Sequence, residues 1–463
     1  MIIRQFVLES LGHASYLVGS ERTGEALVLD VRRDVETYFD TARSLGMRIA
    51  YAADTHQHND YLTGICELPV RGPVQLLAGA RAQLGYPAKP MADRERLEMG
   101  EVVFEALHTP GHTPEHTSFL VYDRSRGDEP VILLSGGSLL VGDVARPDLL
   151  GGPGDIQQAA SALLRTLRET ILKLPDHVMV LPTHVAGSLC GGNIGSMLCT
   201  TIGYERRMNR LLSAIETSPA TAAIDLSDLP TVPPYWRRMR SRNQKGPGLL
   251  GILREPPALQ PAEVDARARE GAVLLDCRSP EAFGGGHIPG ALNVGAGSSF
   301  PTWAGTVLPA DARVVLVLDR ADDLWEICWQ LLRIGYDLPL GWLAGGMAHW
   351  RSEARPLRTL RQWTVQELAD RIRSERGLRV IDVRQPGEWH KGHIEGALHI
   401  PGGELPARLG DVPKGVPLAL VCGSGFRSSV GASLLLHGGW TQVTNVAGGM
   451  NAWTKAGLPL TVP

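Results

Sequence analysis

The sequence predicts an α/β protein of several domains, and three observations support this fold class. The chain has 463 residues, which exceeds the length of one ordinary domain. Residues 1 to about 215 alternate short apolar runs with amphipathic ones, as strands and helices do. Three motifs of the second half occur twice, which indicates two copies of a smaller domain.

The spacing of apolar residues predicts the elements of the N-terminal half. Apolar runs of strand length occur at residues 28–31, 102–107, 119–122 and 178–181. Residues 156–174 predict an amphipathic helix, because Leu163, Leu164, Leu167 and Ile171 recur at helical spacing. The many prolines of residues 218–257 predict an extended connector with short helical pieces, packed on the first domain. We therefore expect domains at residues 1–217, 258–357 and 358–463, with the connector between the first two.

The composition is that of a globular protein. Hydrophobic residues make up 43% of the chain and charged residues 21%, which suits buried cores. Lys and Arg total 46 against 49 for Asp and Glu, so no basic excess points to nucleic acid or an anionic membrane. Residues 1–6 begin directly with a strand-like pattern, without a signal segment, and no apolar run reaches membrane-spanning length. We expect a soluble, cytoplasmic protein whose 6 cysteines are free thiols.

Residues 55–61 hold a compact set of metal-binding side chains. His56 and His58 are two residues apart, and Asp60 follows after two more. The preceding apolar run, residues 47–53, indicates a buried strand, along which alternate side chains point to the same side. If the strand ends in a loop at this point, both imidazoles can face one ion.

Three further motifs downstream carry metal-binding side chains. His112 lies in HTPGHT, Asp143 in VGD and His184 in LPTH, and each motif follows a short apolar run. The series HxHxD, GHT, GD and TH resembles the metallo-β-lactamase superfamily, which implies an αββα sandwich for the N-terminal domain. The superfamily motif is usually HxHxDH, and Tyr61 replaces its last histidine, which belongs to the second metal site. This departure argues for one metal ion.

The repeated motifs define the C-terminal half. DCR at residues 276–278 returns as DVR at 382–384, and GHIPGA at 286–291 returns as GHIEGA, both at an offset of 106 (382 − 276). GGMAHW at 345–350 returns as GGMNAW at 448–453, at an offset of 103 (448 − 345). This set of motifs resembles the rhodanese family, which implies two doubly wound α/β domains.

Cys422 begins a glycine-containing loop between a buried-strand pattern and a helical run. Gly423 and Gly425 allow backbone N–H groups to turn inward, and the start of a helix and Arg427 add positive potential. This setting favours a thiolate or a cysteine persulfide anion. The loop resembles the CxxGxR loop of rhodanese sulfurtransferases, which implies that Cys422 carries sulfane sulfur. The residues that would cradle the persulfide are Gly423, Ser424, Gly425 and Phe426.

The first repeat copy lacks this loop. Asp319 stands where Cys422 stands in the second copy (422 − 103 = 319). The following residues are acidic and contain no glycine, so the loop is poorly suited to an anion. A carboxylate cannot carry persulfide sulfur. We expect the first copy to be catalytically inactive and to act as a spacer or a docking platform.

The combination of domains resembles the persulfide dioxygenase–sulfurtransferase fusions. That resemblance implies one Fe(II) per chain, with zinc as an alternative occupant of the purified protein. It assigns His56, His112 and Asp143 as ligands, with His58 beside them as a further ligand or a supporting group. Two histidines and one carboxylate leave positions open for the substrate sulfur and for O2.

Further residues near the motifs are candidates for positioning ligands or substrate. We expect Asp60, Tyr61 and His184 to orient ligands, water or substrate by hydrogen bonds, and His184 is equally well explained as a structural group. Arg146, in a segment similar to GRxD, either holds an anionic substrate or product or pairs with Asp148 to stiffen its loop. Cys190 and Cys199 are either within reach of a persulfide or, as we favour, two buried structural thiols.

The resemblance implies a two-step sulfur chemistry. A low-molecular-weight thiol persulfide, such as glutathione persulfide, is oxidised by O2 to sulfite, and Cys422 transfers a sulfane sulfur to sulfite to give thiosulfate. Fusion raises the effective concentration of sulfite near Cys422, as sulfide detoxification would require. The N-terminal domain of relatives commonly self-associates, so a homo-oligomer through this domain is a further expectation.

Two other functions stay open at this level. A zinc hydrolase of glyoxalase II type would cleave a thioester with a metal-bound hydroxide, although Tyr61 argues against its second metal. A sulfane-sulfur carrier or sensor would use only Cys422 and keep the metal domain as structure. Metal content and O2 consumption distinguish the three functions.

Overall fold

The computed structural model describes residues 1–218, 221–227 and 229–462. The chain forms two compact units, of which the first contains Met1–Ser227 and Trp236–Ile252, and the second Asp228–Tyr235 and Leu253–Pro463. The predicted domain limits stay predictions. The predicted connector includes residues 219, 220 and 228, and the predicted last domain includes residue 463, all of which lie outside the described residues.

The strands of the first unit form two mixed sheets. The first sheet contains, in spatial order, β1 (Ile2–Leu8), β2 (His13–Gly19), β3 (Glu25–Leu29), β4 (Arg48–Ala53), β5 (Gln75–Gly79) and β6 (Lys89–Met91). The second sheet contains β7 (Arg96–Met99), β8 (Val102–His108), β9 (Thr117–Asp123), β10 (Pro130–Gly136), β11 (Met179–Pro182) and β12 (Thr200–Thr201). In this sheet too, each strand lies beside the next one in the chain. The strands predicted from apolar runs are confirmed.

The two sheets pack face to face across a common core. Tyr16 and Leu27 of the first sheet and Phe104, Phe119 and Leu134 of the second belong to one buried cluster. Each such side chain contributes roughly 1.5–3 kcal/mol by leaving water. Successive side chains of a strand point to opposite faces of the sheet, so the outer face of each sheet needs cover from helices.

Helices cover both outer faces of this sandwich. They are α1 (Glu36–Ser44), α2 (Leu68–Arg71), α3 (Pro153–Glu169), α4 (Ile202–Met208), α5 (Arg210–Thr217) and α6 (Trp236–Lys245). Tyr38 of α1 packs in the core beneath the first sheet, and Leu163 and Leu167 of α3 pack in the core beneath the second. The predicted αββα sandwich and the predicted amphipathic helix are confirmed.

The second unit contains two parallel sheets with the same strand order. The strands of the first copy are β13 (Ala258–Leu259), β14 (Val273–Asp276), β15 (Leu292–Asn293), β16 (Val314–Val317) and β17 (Gly341–Leu343). Those of the second copy are β18 (Arg361–Trp363), β19 (Arg379–Asp382), β20 (Leu398–His399), β21 (Leu418–Val421) and β22 (Val443–Val446). Their spatial orders, β13-β17-β16-β14-β15 and β18-β22-β21-β19-β20, are equivalent, as the internal repeat predicts.

Helices connect these parallel strands. The first copy has α7 (Pro261–Arg269), α8 (Pro280–Gly285), α9 (Phe300–Val307), α10 (Leu324–Arg333) and α11 (Gly346–Ser352). The second copy has α12 (Val365–Ser374), α13 (Pro386–His390), α14 (Phe426–His437) and α15 (Gly449–Lys455). Among the helices of the described residues, none is both long and apolar enough to cross a membrane.

Asn293 of the first copy is a buried link to the second copy. Its side-chain amide donates to the carbonyl oxygens of Asp276 and Arg278 at 3.1 and 3.0 Å. Its Oδ1 accepts from Oγ of Ser429 at 2.7 Å, and its backbone N–H donates to Oγ of Ser433 at 2.9 Å. Both serines lie on α14, so the first copy helps to hold the helix that follows Cys422.

Replacing Asn293 by Ala is expected to lower the free energy of unfolding of the second unit by roughly 1–3 kcal/mol, because buried partners lose their hydrogen bonds. Differential scanning calorimetry of the full chain measures the shift. Asn451→Ala, at an exposed position of the same unit, is the matched control. Equal shifts in the two variants would contradict a link through Asn293.

Candidate functional site

Three buried histidines form a candidate metal site in the first unit. His56 follows β4, His112 lies in the loop between β8 and β9, and His184 follows β11. Their imidazole nitrogens lie within 4.8 Å of one another, and the Nε2 atoms of His56 and His184 are 3.4 Å apart. Imidazole nitrogens suit zinc and iron, so this donor set fits one such ion.

Hydrogen bonds at Nδ1 orient two of these rings. Nδ1 of His112 donates to the carbonyl oxygen of Arg146 at 3.3 Å, and its Nε2 has no hydrogen-bond partner among the described residues. Oγ1 of Thr55 donates to the carboxylate of Asp30 at 2.9 Å, so it accepts from Nδ1 of His56 at 2.9 Å. Both rings therefore present an unprotonated Nε2, as metal-binding histidines do.

Burial sets the charge state of these two rings. It lowers the pKa of His112 to about 3 and the pKa of His56 well below its ordinary value, so both are neutral. At His184 burial acts in the same direction, but Cys190 and Asp60 raise its pKa well above the ordinary value. Oδ2 of Asp60 lies 3.5 Å from Nδ1 of His184. His56 and His112 would therefore offer neutral imidazoles to a metal ion, whereas His184 would have to lose a proton to bind one.

The ring of His58 packs against this cluster, with its centroid 4.1 Å from that of His56, but its Nε2 faces another group. Its Nε2 is 3.1 Å from Oδ1 of Asp30, and both groups are buried. Asp30, Asp54 and His58 form a separate group whose ligand atoms lie within 4.8 Å of one another. The ring of Tyr61 packs 4.5 Å from that of His58 and 4.3 Å from that of His13. Tyr61 therefore fills space by ring packing, and the role of His58 as a ligand stays a prediction.

Asp143 is held by backbone groups rather than by the three-histidine cluster. Its Oδ2 accepts from the N–H groups of Gly192 and Asn193 at 2.8 and 2.7 Å, and its Oδ1 accepts from the next N–H along the chain. These donors satisfy both carboxylate oxygens. The structure thus brings His184 to the cluster, whereas the sequence places Asp143 there, and the assignment of Asp143 as a ligand stays a prediction.

Arg146 pairs with Asp148, which is one of the two roles that the sequence allows for this side chain. Its Nε and Nη2 donate to the two carboxylate oxygens at 2.9 and 2.7 Å, and its Nη1 donates to the carbonyl oxygen of Leu189 at 3.2 Å. The side chain is buried and stiffens the loop whose carbonyl orients His112. Of the two cysteines predicted to be buried, Cys190 is buried, but the prediction is wrong for Cys199, whose side chain is exposed.

Helix α6, inside the predicted connector, holds the histidine loop. The amide of Asn243 donates to the carbonyl oxygens of His58 and Tyr61, both at 2.8 Å, and accepts from the N–H of Thr63 at 3.0 Å. Asn243 and Asp30 are site residues that the sequence did not single out. The signal for Asp30 is its place directly after the buried run of β3, whereas no local pattern marks Asn243.

Cys422 sits at the end of the central strand β21, in front of helix α14. Its thiol is buried, and Sγ accepts from the N–H of Gly425 at 3.1 Å and from Oγ of Ser428 at 3.3 Å. Gly425 has a φ of 105°, which a side chain would strain. Ser428 was not among the predicted cradle residues. Phe426 is the first residue of α14. Its ring lies close to Gly295 of the first copy, where an added Cβ would be 3.2 Å from it.

The carbonyl groups of this loop point away from the thiol. The carbonyl oxygens of Cys422, Gly423 and Ser424 accept from N–H groups at the start of α15, at 2.7, 2.9 and 3.1 Å. This leaves the N–H side of the loop to face Sγ, which suits an anion. The loop therefore has the polarity that the sequence predicts.

Arg427 is held by Glu388, a residue that the sequence did not single out. Its Nη1 and Nη2 donate to Oε2 and Oε1 of Glu388 at 2.6 and 2.7 Å. Burial opposes ionisation of both groups, but this contact raises the pKa of Arg427 and lowers the pKa of Glu388. Both side chains are therefore charged.

The first copy has no equivalent constellation. Asp319 follows β16 as Cys422 follows β21, and its side chain is exposed to solvent. The helix after it begins at Leu324, so an apolar side chain stands where the second copy has Arg427 (427 − 103 = 324). Catalytic inactivity of this copy stays a prediction.

Known proteins are similar to both halves of the chain. The rhodanese-like domain family matches residues 260–353 and 364–456. The solved structure of a metallo-β-lactamase from Staphylococcus aureus is 32% identical, with a TM-score of 0.65 over 74% of this chain and 99% of its own. The mitochondrial persulfide dioxygenase ETHE1 of Bos taurus is 26% identical over 219 residues, 46% of this chain and 76% of its own length. A sulfurtransferase of Allochromatium vinosum is 33% identical over 98 residues, 21% of this chain and 92% of its own length.

The chain belongs to the metallo-β-lactamase-fold proteins that carry rhodanese domains. Its N-terminal half is homologous to persulfide dioxygenases, and its C-terminal half contains two rhodanese-like domains. The candidate metal site lies in the first part, and the Cys422 loop lies in the second rhodanese-like match.

Removing the imidazole of His112 is expected to lower bound metal at least about tenfold, because the change deletes a ligand. Elemental analysis of iron and zinc per chain in the His112→Ala variant measures the loss. His108→Ala is the matched control, since His108 lies outside the cluster and its Nε2 is 3.0 Å from the carbonyl oxygen of Pro114. Equal metal content in both variants would contradict the site.

The same measurement separates the two possible third ligands. If His184 is a ligand, His184→Ala loses metal as His112→Ala does. If Asp143 is a ligand, Asp143→Ala shows that loss, and the cluster seen in the structure rearranges around the ion.

Proposed function

We propose that this protein is a non-heme iron persulfide dioxygenase fused to a sulfurtransferase. The observation that carries the proposal is the presence, in one chain, of a buried cluster of metal-binding imidazoles and a thiol facing backbone N–H groups. The first belongs to a domain homologous to persulfide dioxygenases, and the second to a rhodanese-like domain. The substrates would be a low-molecular-weight thiol persulfide and O2.

His56 and His112 would hold one iron(II), with His184 or Asp143 as the third ligand and His58 as a further ligand or a supporting group. The iron would supply activation of O2 and a binding position for the terminal persulfide sulfur. The residues around it fix the ligands. Thr55 holds His56, and the carbonyl of Arg146 holds His112.

Overall, the persulfide RSSH, O2 and water would give the thiol RSH, sulfite and two protons. The sulfane sulfur is oxidised and O2 is reduced, so no other oxidant is needed. Burial of the imidazoles strengthens the electrostatic contacts within the site. Asp60, whose Oδ2 lies 3.5 Å from Nδ1 of His184, would orient that ring.

Cys422 would carry out the second step. The Cys422 thiolate attacks the sulfane sulfur of a second persulfide RSSH, the RS–S bond breaks with its electron pair on the RS sulfur, and the products are the thiolate RS⁻ and a persulfide on Cys422. The lone pair of sulfite then attacks the outer sulfur, and the S–S bond breaks with its electron pair on Sγ, giving thiosulfate and the thiolate. The N–H of Gly425 and Oγ of Ser428 stabilise the negative charge on Sγ before and after transfer. This sequence would remove sulfide and persulfide.

Iron-loaded protein is expected to consume O2 when a thiol persulfide such as glutathione persulfide is added. Anaerobic reconstitution with Fe(II) followed by an oxygen-electrode assay measures the rate. The His112→Ala variant should lose nearly all uptake, and His108→Ala should retain it.

Absence of uptake by iron-loaded protein would contradict the dioxygenase. Hydrolysis of a glutathione thioester by the zinc-loaded protein, without O2 uptake by the iron-loaded form, would instead identify a glyoxalase II-type hydrolase. Persulfide loading with neither activity would identify a sulfur carrier.

The Cys422→Ser variant is expected to stop making thiosulfate while sulfite still accumulates, because the hydroxyl cannot carry sulfane sulfur. Chromatography of sulfite and thiosulfate after thiol derivatisation measures both products. Cys66→Ser is the matched control, since burial raises the pKa of the Cys66 thiol to about 11 and makes it unreactive. Thiosulfate formation that persists without Cys422 would contradict the transfer step.

A further inference from the structure

We propose that Glu388 determines which acceptors the Cys422 persulfide uses, by neutralising the charge of Arg427. The inference rests on the proposed sulfur transfer at Cys422. Glu388 does not need to touch the sulfur, because it acts through Arg427. With Glu388 present, the loop offers a dianion such as sulfite less attraction than a lone guanidinium would, so thiols can compete as acceptors.

The geometry places this ion pair at the edge of the loop. A Cβ added at Gly423, the residue after Cys422, would lie 3.0 Å from Nη2 of Arg427 and 3.9 Å from Oε1 of Glu388. The side chains of Arg427 and Glu388 are 22% and 38% exposed, so a dissolved anion can approach the pair. An approaching acceptor therefore meets the guanidinium of Arg427 and the carboxylate of Glu388 together, and the two charges offset each other.

The carboxylate of Glu388 is fixed from two sides. Its Oε2 accepts from the backbone N–H of Gln385 at 3.0 Å as well as from Arg427, and its Oε1 accepts from Nη2 of Arg427. The contact with Gln385 is the capping-box arrangement at the start of α13. Glutamine also occupies this capping position, so Glu388→Gln can remove the charge while keeping the helix start.

The first copy serves as an internal control for the role of this pair. Ala282 stands where the second copy has Glu388 (388 − 106 = 282), and Leu324 stands where it has Arg427 (427 − 103 = 324). Helix α8 of the first copy is capped by Ser279 instead. The copy that has Asp319 in place of Cys422 thus lacks both members of the pair and still has the same strand order.

Other polar contacts are present in both copies. Nη2 of Arg278 lies 2.6 Å from Oδ2 of Asp276, and Nη2 of Arg384 lies 2.6 Å from Oδ2 of Asp382. Each arginine also donates to the carbonyl oxygen of a glycine eight residues later, at 2.9 and 2.8 Å. These contacts support the fold. The pair of Glu388 and Arg427 accompanies the cysteine, which indicates a role in the chemistry of the loop.

Two acceptors with different charges test the proposal. Sulfite is largely a dianion above neutral pH, and dithiothreitol is an uncharged thiol below its pKa. In both cases the acceptor sulfur bonds to the outer persulfide sulfur, and the S–S bond to Sγ breaks with its electrons on Cys422. Only the sulfite reaction brings a dianion to the loop.

The experiment uses the full-length protein loaded with a persulfide donor. Mass spectrometry first establishes that Cys422 has gained one sulfur atom in the wild type and in each variant. Rates of sulfur transfer are then measured against sulfite and dithiothreitol concentration, at low and high salt. We expect Glu388→Gln to lower the KM for sulfite by roughly five- to tenfold at low salt, from loss of one charge near a dianion. The effect should shrink with added salt, and the KM for dithiothreitol should not change.

Two further variants keep the test specific. Glu388→Asp retains the charge and is expected to keep a sulfite KM close to that of the wild type. Glu395→Gln, at an exposed position of the same domain, removes a charge outside the pair and should change neither KM. An unchanged or raised sulfite KM in Glu388→Gln, or equal changes with both acceptors, would overturn the inference. Failure of wild-type Cys422 to take up sulfur would overturn the proposed function itself.

Discussion

The carboxylate of Asp30 is the interaction on which the metal domain depends. Its oxygens accept from the N–H and Oγ1 of Thr55, at 2.6 and 2.9 Å, from Nε2 of His58 at 3.1 Å and from Oγ1 of Thr183. A buried carboxylate without such partners would cost several kcal/mol. Through Thr55 and Thr183 the same group fixes the chain next to His56 and His184, so one buried charge joins the ends of β3, β4 and β11.

The two rhodanese-like copies share a sheet and its supporting contacts but differ in the loop that holds Cys422. Both copies retain the buried Asp–Arg pair after the second strand and the same sheet order. Only the second has a thiol that receives hydrogen bonds from Gly425 and Ser428, next to a paired Arg427. The first copy is nevertheless part of the packing, since Asn293 bonds to the helix behind the loop.

Sequence patterns were most informative for reactive side chains that follow a predicted strand. The motifs located His56, His112 and Cys422, because each follows an apolar strand whose end sets the position of the next residues. They did not locate Asn243 or Glu388, because these residues act on partners 185 and 39 positions away in the chain. Hydrogen bonds over such separations leave no periodic signal in a single sequence.

The sequence by itself determined the fold class, the repeat and the positions of the two candidate sites, since these follow from apolar periodicity, turn residues and short motifs. Tertiary structure decided which side chains meet. It turned His58 towards Asp30, gave the carboxylate of Asp143 backbone donors and brought His184 to His56 and His112. The physical reason is that buried polar groups take the partners that surrounding loops offer, and those loops come from distant parts of the chain.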